Sequence, residues 1–413
     1  MPGGARLGYD RPPVSKRFAF LTLGYHPDLD GGGYRYATEV AERLAARGHE
    51  VHAVFPNPSN RLAPSESRNG VTLHRVPDGT ASFFANWRSE NRAASEVLDR
   101  LLAPGSPPTL VATHQAYFEA AARRRHAVFM YQGPWGLEYA FSQKAKPRSF
   151  LRRLLDPWIT RQLHRTECRA LAAAPAIFVA SDYTRRQLPR WHPSVQRPVR
   201  VVSGGANFSQ FKPPSDRTAV RQRWDLTPDD LLFLAVRRLD PRMGLDRIIH
   251  AFATATAAHP HARLWLAGRG PQQGELQALI TRLGLDQRVR LLGFVPEPDL
   301  PGLYAAADCT LMPSLDLEGF GLATVESLAC GTPVLASNAG ANPELVAPLD
   351  PHLVYDGSQA GSLTQRWSDI IASRLPLPSR ERCAAYVREA FPWDRPVQAF
   401  EDAFQQHARG NTP

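Results

Sequence analysis

The sequence predicts two consecutive α/β domains, each a doubly wound parallel sheet. Three observations carry that expectation. The chain has 413 residues, 43% of them hydrophobic, which suits two domains of about 150–200 residues better than one core. Short apolar runs alternate with helical patterns twice over. The runs are continuously apolar, as strands buried on both faces of a parallel sheet are.

In the first half, 18–24, 50–56, 110–114, 127–132, 177–181 and 199–203 read as strands, with a helix over 38–47 ended by Gly48. In the second half, 231–236, 263–267, 289–294, 309–312 and 333–336 read as strands, with helices such as 245–258 and 275–283 between them. The 37 prolines fall in the connections and act as punctuation. Lys212-Pro213-Pro214-Ser215 looks like a linker. The expected domains are 1–206, 207–385 and a closing segment 386–413, where 392–407 has helical spacing.

The net charge is +10. Part of the excess is local, in Arg123, Arg124, Arg125, Lys144, Lys146, Arg148, Arg152, Arg153, Arg161, Arg165 and Arg169. This reads as a solvated helical face, with membrane-surface contact or attraction of an anionic substrate left open. No nucleic-acid module accompanies the charge, so nucleic acid is not an expected partner. Cys168, Cys309, Cys330 and Cys383 contain no C-x-x-C pair and fit neither a zinc pattern nor a disulfide framework. Their sparseness points to a reducing, cytoplasmic setting. No apolar run reaches the length of a membrane span, and the first has only a strand's length.

Two segments carry chemistry. Asp30-Gly31-Gly32-Gly33 follows the first strand and precedes a helix. Glycines let backbone N–H groups approach a phosphate, so Gly32 and Gly33 are donor-binding candidates, with a flexible turn as the alternative. The spacing is not G-x-G-x-x-G, and no acidic residue ends the second strand, so a nicotinamide cofactor is poorly supported. Asp28-Leu29-Asp30 spells D-x-D but only prefaces the glycines, and no metal is expected there. The stronger segment runs from Met312 to Pro333. A strand ends near Ser314, a glycine-bearing turn holds Glu318, and a helix follows with Glu326 inside it. A helix N-terminus offers free N–H groups to a diphosphate. A carboxylate before it can grip sugar hydroxyls, and one further in can grip a ribose diol. The plain alternative is that both glutamates solvate the helix.

Over nearly its whole length the sequence resembles the retaining glycosyltransferases of a large bacterial group, family 4-like and group 1, whose two Rossmann-like domains face a cleft (the GT-B architecture). Glu318 and Glu326 match that family's E-x7-E motif. Gly31-Gly32 with Arg47-Gly48-His49-Glu50-Val51 matches its N-terminal pattern. The resemblance implies that Glu318 contacts the donor sugar, Glu326 the ribose, and the N–H groups of Phe320, Gly321 and Leu322 the phosphates. It implies that Arg238 binds phosphate, stabilising charge on the leaving diphosphate without a metal or other cofactor. The partners are a nucleotide-sugar donor (GDP- or UDP-linked) and a small-molecule acceptor, and a homo-oligomer is left open.

Two departures stand out. Where the family has lysine, Met243 precedes Gly244. Arg237 or Arg242 can take its place, Arg242 being favoured. In Tyr131-Gln132-Gly133-Pro134-Trp135, Gln132 replaces the family's histidine. Glutamine bonds a hydroxyl but takes no proton at neutral pH. His114 matches a second family histidine and is read either as an acceptor neighbour or as a strand-end residue. Loss of a base suits an acceptor that needs little deprotonation, such as a thiol (ordinary pKa about 8.5) or thione. In this the chain resembles the sulfur-directed transferases of lincosamide antibiotic assembly, a natural-product pathway. The competing readings are a catalytically silent nucleotide-sugar-binding protein, an epimerase or phosphorylase of the same architecture, and a lipid- or polysaccharide-directed mannosyl- or glucosyltransferase at the membrane surface.

Overall fold

Fourteen strands and their covering helices organise the computed structural model, which describes residues 15–29, 31–79, 83–144, 150–359 and 361–408. The chain forms two units, Met1–Phe129 with Ala399–Pro413, and Met130–Gln398.

The first unit is built on β1 (Arg17–Leu21), β2 (Glu50–Pro56), β3 (Ser65–Arg68), β4 (Val71–Val76) and β5 (Thr109–Thr113), in the lateral order β3-β4-β2-β1-β5. All neighbours are parallel except β3 and β4. Parallel pairing follows from composition: β1 and β5 are apolar runs that helices cover on both faces. β3 reads Ser-Glu-Ser-Arg and carries no apolar signal. It forms because Asn69 and Gly70, both at positive φ, turn the chain back onto β4. The helix Gly32–Ala46 follows β1. The last helix, Asp394–His407, ends in this unit: Phe400 meets Phe20 at 5.4 Å, Phe404 meets Phe18 at 5.5 Å, and Glu401 pairs with His49 and Arg47 at 2.9 and 3.0 Å. Each aromatic contact adds about 0.5–1.5 kcal/mol beyond the area it buries.

β6 (Val128–Tyr131) begins in the first unit, with Val128 opposite Ala112 and Phe129 opposite Thr113. The second unit then holds β7 (Ile177–Val179), β8 (Val199–Val201) and a six-stranded parallel sheet. That sheet comprises β9 (Leu231–Val236), β10 (Ala262–Ala267), β11 (Val289–Gly293), β12 (Cys309–Met312), β13 (Val334–Ser337) and β14 (Val354–Tyr355), in the order β11-β10-β9-β12-β13-β14. Its core gathers Phe233, Ile248, Phe252 and Trp367 on one face, with the Trp367 ring 4.7 Å from that of Phe233. The order reverses between β9 and β12. In open α/β sheets, the crevice beyond the carboxyl ends of strands at such a reversal is where ligands bind.

Candidate active site

The strands on either side of the reversal, β9 and β12, deliver the site. β9 runs directly into Arg237 and Arg238, and β12 into the turn that carries Glu318. Glu318 is 9% exposed. Its Oε2 accepts from Ser314 Oγ at 2.6 Å and from Arg237 Nη2 at 2.5 Å. Its backbone is pinned as well: Ala341 N–H donates to its carbonyl at 2.8 Å. Gly340, at φ 62°, lies so close that a Cβ there would stand 2.5 Å from the same oxygen, so only glycine fits. Burial pushes the Glu318 carboxyl up, but the Arg237 charge and the hydrogen bonds from Ser314 and Arg237 outweigh it and hold the group below the usual carboxylate range. The site therefore carries a fixed, ionised carboxylate with little water.

The three arginines nearby differ in what they touch. The side chain of Arg237 is 8% exposed, lies on Glu318, and reaches the sulfurs of Met243 and Met312. Arg238, matched to the phosphate-binding position, is 71% exposed and stands 3.9 Å from Asp240, so its guanidinium is largely open to a ligand. Arg242 donates to the carbonyls of Leu317 at 2.7 Å and Asp316 at 3.3 Å, and lies 4.0 Å from Glu138. It braces the glutamate turn. Of the two arginines left open for the place of the missing lysine, Arg237 is the one whose guanidinium lies on the Met243 sulfur, while Arg242, the one favoured, lies on the glutamate turn.

The helix Leu322–Ala329 starts at Gly321, which caps it at φ 95°. In its first turn Thr324 N–H donates to the Gly321 carbonyl at 3.0 Å, whereas the N–H groups before it have no acceptor within the helix. Phe320, just before that end, is buried with its ring 5.7 Å from that of Phe391. Glu326 lies just over one turn into the helix, is 5% exposed, and accepts from Tyr304 Oη at 3.1 Å. Two further groups stand at neighbouring strand ends: the exposed ring of Phe294, after β11, lies 5.3 Å under the guanidinium of Arg269, which follows β10.

Gln132 follows β6 in the same unit. Its carbonyl would be 3.0 Å from a Cβ on Gly319, so the glycine lets the two backbones meet beside Glu318. The Gln132 Nε2 is buried without a hydrogen-bond partner among the described residues. Such an orphaned donor is costly unless a ligand or water takes it. The next residues are braced from below, where Trp135 and Gly136 donate their N–H groups to Glu167 at 2.7 and 3.4 Å.

The first unit holds the remaining candidates. Gly32 and Gly33 form the first turn of the helix Gly32–Ala46 itself, with Gly31 as its cap at φ 158°, so the expected loop is shorter than the sequence suggests. Asp28 is tied to Arg75 at 2.7 Å and Arg68 at 2.9 Å, while Asp30 lies outside the described residues. His114 is fully buried among the rings of Phe20, Tyr36 and Phe400, and neither ring nitrogen has a partner among the described residues. Burial pushes its pKa down to about 3, so the ring is neutral at physiological pH. These surroundings favour the strand-end reading over contact with an acceptor. Within the basic stretch, Arg125 is buried and spent on Ala121, Ser95 and Asp99, and Lys146 and Arg148 lie outside the described residues.

Comparison with known proteins bears on the family. A model for "Glycosyl transferases group 1" matches residues 216–390, and one for "Glycosyltransferase Family 4" matches residues 30–210. The chain is 28% identical to the D-inositol 3-phosphate glycosyltransferase of Streptomyces scabiei, over 97% of this chain and 93% of that one. It is 27% identical to a GDP-mannose-dependent alpha-(1-6)-phosphatidylinositol dimannoside mannosyltransferase of Mycobacterium tuberculosis, over 88% and 90%. Sucrose-phosphate synthase from Thermosynechococcus elongatus superposes with a TM-score of 0.77 at 22% identity, covering 95% of this chain and 99% of that one. Two family models that together tile most of the chain, relatives that run its full length, and a paired-glutamate turn at a sheet reversal converge on one assignment: the chain belongs to the group 1, family 4-like glycosyltransferases and is an enzyme of that class with the GT-B fold.

Proposed function

We propose that the chain moves a sugar from a nucleoside-diphosphate donor to a small-molecule acceptor with retention of anomeric configuration, and that the preferred acceptor atom is sulfur. The observation that carries this reading is the buried, ionised Glu318 held beside the open N-terminus of the helix Leu322–Ala329 and within reach of arginines. In this reading Glu318 binds the sugar hydroxyls, and Arg237, Arg238 and the N–H groups of Phe320, Gly321 and Leu322 hold the diphosphate. Glu326 grips the ribose, while Arg269 and Phe294 flank the base. The bond from the anomeric carbon to the diphosphate oxygen breaks as the bond to the acceptor forms on the same face, and the acceptor proton passes to the departing diphosphate. The positive groups stabilise charge that grows during that step, which is where fixed electrostatics contribute most. No protein base is required, in keeping with Gln132 in place of histidine and with the buried, neutral His114. Gln132 Nε2 then donates to the acceptor or the sugar.

A panel of alcohols, thiols and thiones, supplied with GDP- and UDP-sugars and followed by NMR of the products, tests this reading. The expected outcome is a product that keeps the donor's anomeric configuration, with thiols or thiones outpacing alcohols. Inversion, or acceptance of sugar alcohols alone, contradicts it.

A second reading has its own observation. Leu155 and Trp158 on the helix Phe150–Ala173 are 47% and 51% exposed, on the helix that also carries Arg161 and Arg165. Apolar side chains beside cations suit an anionic lipid surface, and one relative is named for a phosphatidylinositol dimannoside acceptor. A lipid-linked acceptor in the same panel separates the two readings.

A further inference from the structure

The helix Phe150–Ala173 brings His164 and Cys168 onto one face, four residues apart, and the chain returns to that face at His192, the residue that ends the helix Asp182–Trp191. Cys168 Sγ lies 3.6 Å from His164 Nε2 and 3.4 Å from His192 Nδ1, and all three ligand atoms fall within 4.8 Å of one another. A tetrahedral zinc ion with bonds of about 2.3 Å to sulfur and about 2.0–2.1 Å to nitrogen sets its sulfur and nitrogen ligands roughly 3.6 Å apart. Both sulfur–nitrogen spacings match that requirement, while the two imidazole nitrogens must draw in from within 4.8 Å to roughly 3.3 Å, a movement that the exposed His164 side chain can make.

The outer groups are arranged as a metal would need. His192 is fully buried, and its Nε2 lies 3.2 Å from Tyr131 Oη and 3.8 Å from Glu167 Oε2. The tautomer with its proton on Nε2 donates to Tyr131 Oη, with the Glu167 carboxylate just beyond hydrogen-bond distance, and leaves the Nδ1 lone pair facing Cys168, the usual way an outer oxygen fixes a metal-binding histidine. On the other side His164 is exposed, which supplies an entry path and a position for a solvent ligand. Neither histidine lies near Cys168 in the ordinary zinc sequence patterns, which explains why spacing alone gave no sign of the group. The legible part was the i, i+4 pair His164 and Cys168.

We propose that His164, Cys168 and His192 form a zinc site with three protein ligands and a fourth position open to solvent. Binding displaces the Cys168 thiol proton to solvent and forms one bond from the thiolate and one from each imidazole. The ion would clamp the middle of one helix to the end of another. Glu167, next to Cys168, holds the N–H groups of Trp135 and Gly136, so the same clamp steadies the 132–136 loop. The role is structural or regulatory, since no ligand of the ion belongs to the glutamate site.

The test uses the full chain without an affinity tag, titrated with Co²⁺ under exclusion of oxygen. One equivalent should produce a thiolate-to-cobalt charge-transfer band together with the strong visible bands of tetrahedral cobalt, and Zn²⁺ should displace both. Cys168→Ser should remove the charge-transfer band. His164→Ala, at an exposed position that the fold does not depend on, should weaken zinc binding by more than the roughly 10–100-fold that loss of an outer-shell partner costs. Absence of a thiolate band in the wild type, or zinc binding as strong in either variant as in the wild type, overturns the proposal.

Discussion

Glu318→Gln lowers turnover on the order of 100-fold, the scale of removing one fixed charge or donor from a reacting centre. The amide keeps the shape and still accepts from Ser314 and Arg237, whose bonds to the native carboxylate measure 2.6 and 2.5 Å. The loss is therefore one of charge. Initial rates check it: if the carboxylate faces the sugar as proposed, kcat should fall well beyond any change in donor KM. The variant also reports on stability with pH. The folded carboxyl of the native protein sits below its ordinary value, so its contribution is present above an unfolded pKa of about 4.3 and disappears as pH falls through the folded value. Glu318→Gln lacks that contribution, and the unfolding midpoints of variant and wild type should converge in acid. An unchanged kcat would remove Glu318 from the reaction.

Arg237→Met has the second large effect. Both partners of the Arg237–Glu318 pair are nearly inaccessible, at 8% and 11% exposure. Removing Arg237 leaves a buried carboxylate with only the Ser314 hydrogen bond and the Arg242 charge to offset its burial, and breaking such a pair costs about 3–5 kcal/mol. With Arg237 gone, burial dominates at Glu318 and moves its carboxyl above the ordinary range. The sign of the Glu318 contribution then reverses: it is fully present below the unfolded pKa of about 4.3 and is lost as pH rises, opposite to the wild type at this residue. Thermal unfolding across pH 4–8 reads this directly. In turnover the variant should lose donor binding as well, since Arg237 is the cation that lies on the sulfur of Met243. By contrast Arg242→Met should loosen the glutamate turn through the carbonyls of Asp316 and Leu317 while leaving the cation beside Glu318 in place. Equal effects of the two substitutions on donor affinity would contradict the division of roles.

The second sheet was legible because its strands are unbroken apolar runs: 231–236 and 309–312 coincide with β9 and β12. The turn at Glu318 was legible because a carboxylate, three glycines nearby and a helix start are local in sequence. β3 was not legible, for its residues are polar and owe their conformation to Asn69 and Gly70, a turn signal that the apolar pattern does not contain. The role of Arg237 was hidden for a different reason. Arg237 and Arg238 are adjacent, and only the pleat at the end of β9 decides which side chain turns inward to Glu318 and which faces solvent. Pairwise matching of motif positions points to Arg238, whereas burial singles out Arg237. His192 joins His164 and Cys168 from 24 residues away, a proximity created by the packing of two helices and not by any spacing along the chain.

The central claim is that the second unit holds a nucleoside diphosphate between the Glu318 turn and the helix Leu322–Ala329. Its most direct test is a thermal-unfolding titration of the full chain with UDP, GDP, ADP and dTDP, repeated on Glu326→Gln. One nucleotide should stabilise the wild type by about 2.7 kcal/mol at a hundred times its dissociation constant, and the gain should shrink in the variant, which lacks the carboxylate proposed to hold the ribose. No stabilisation by any of the four, or one that Glu326→Gln leaves untouched, would contradict the account.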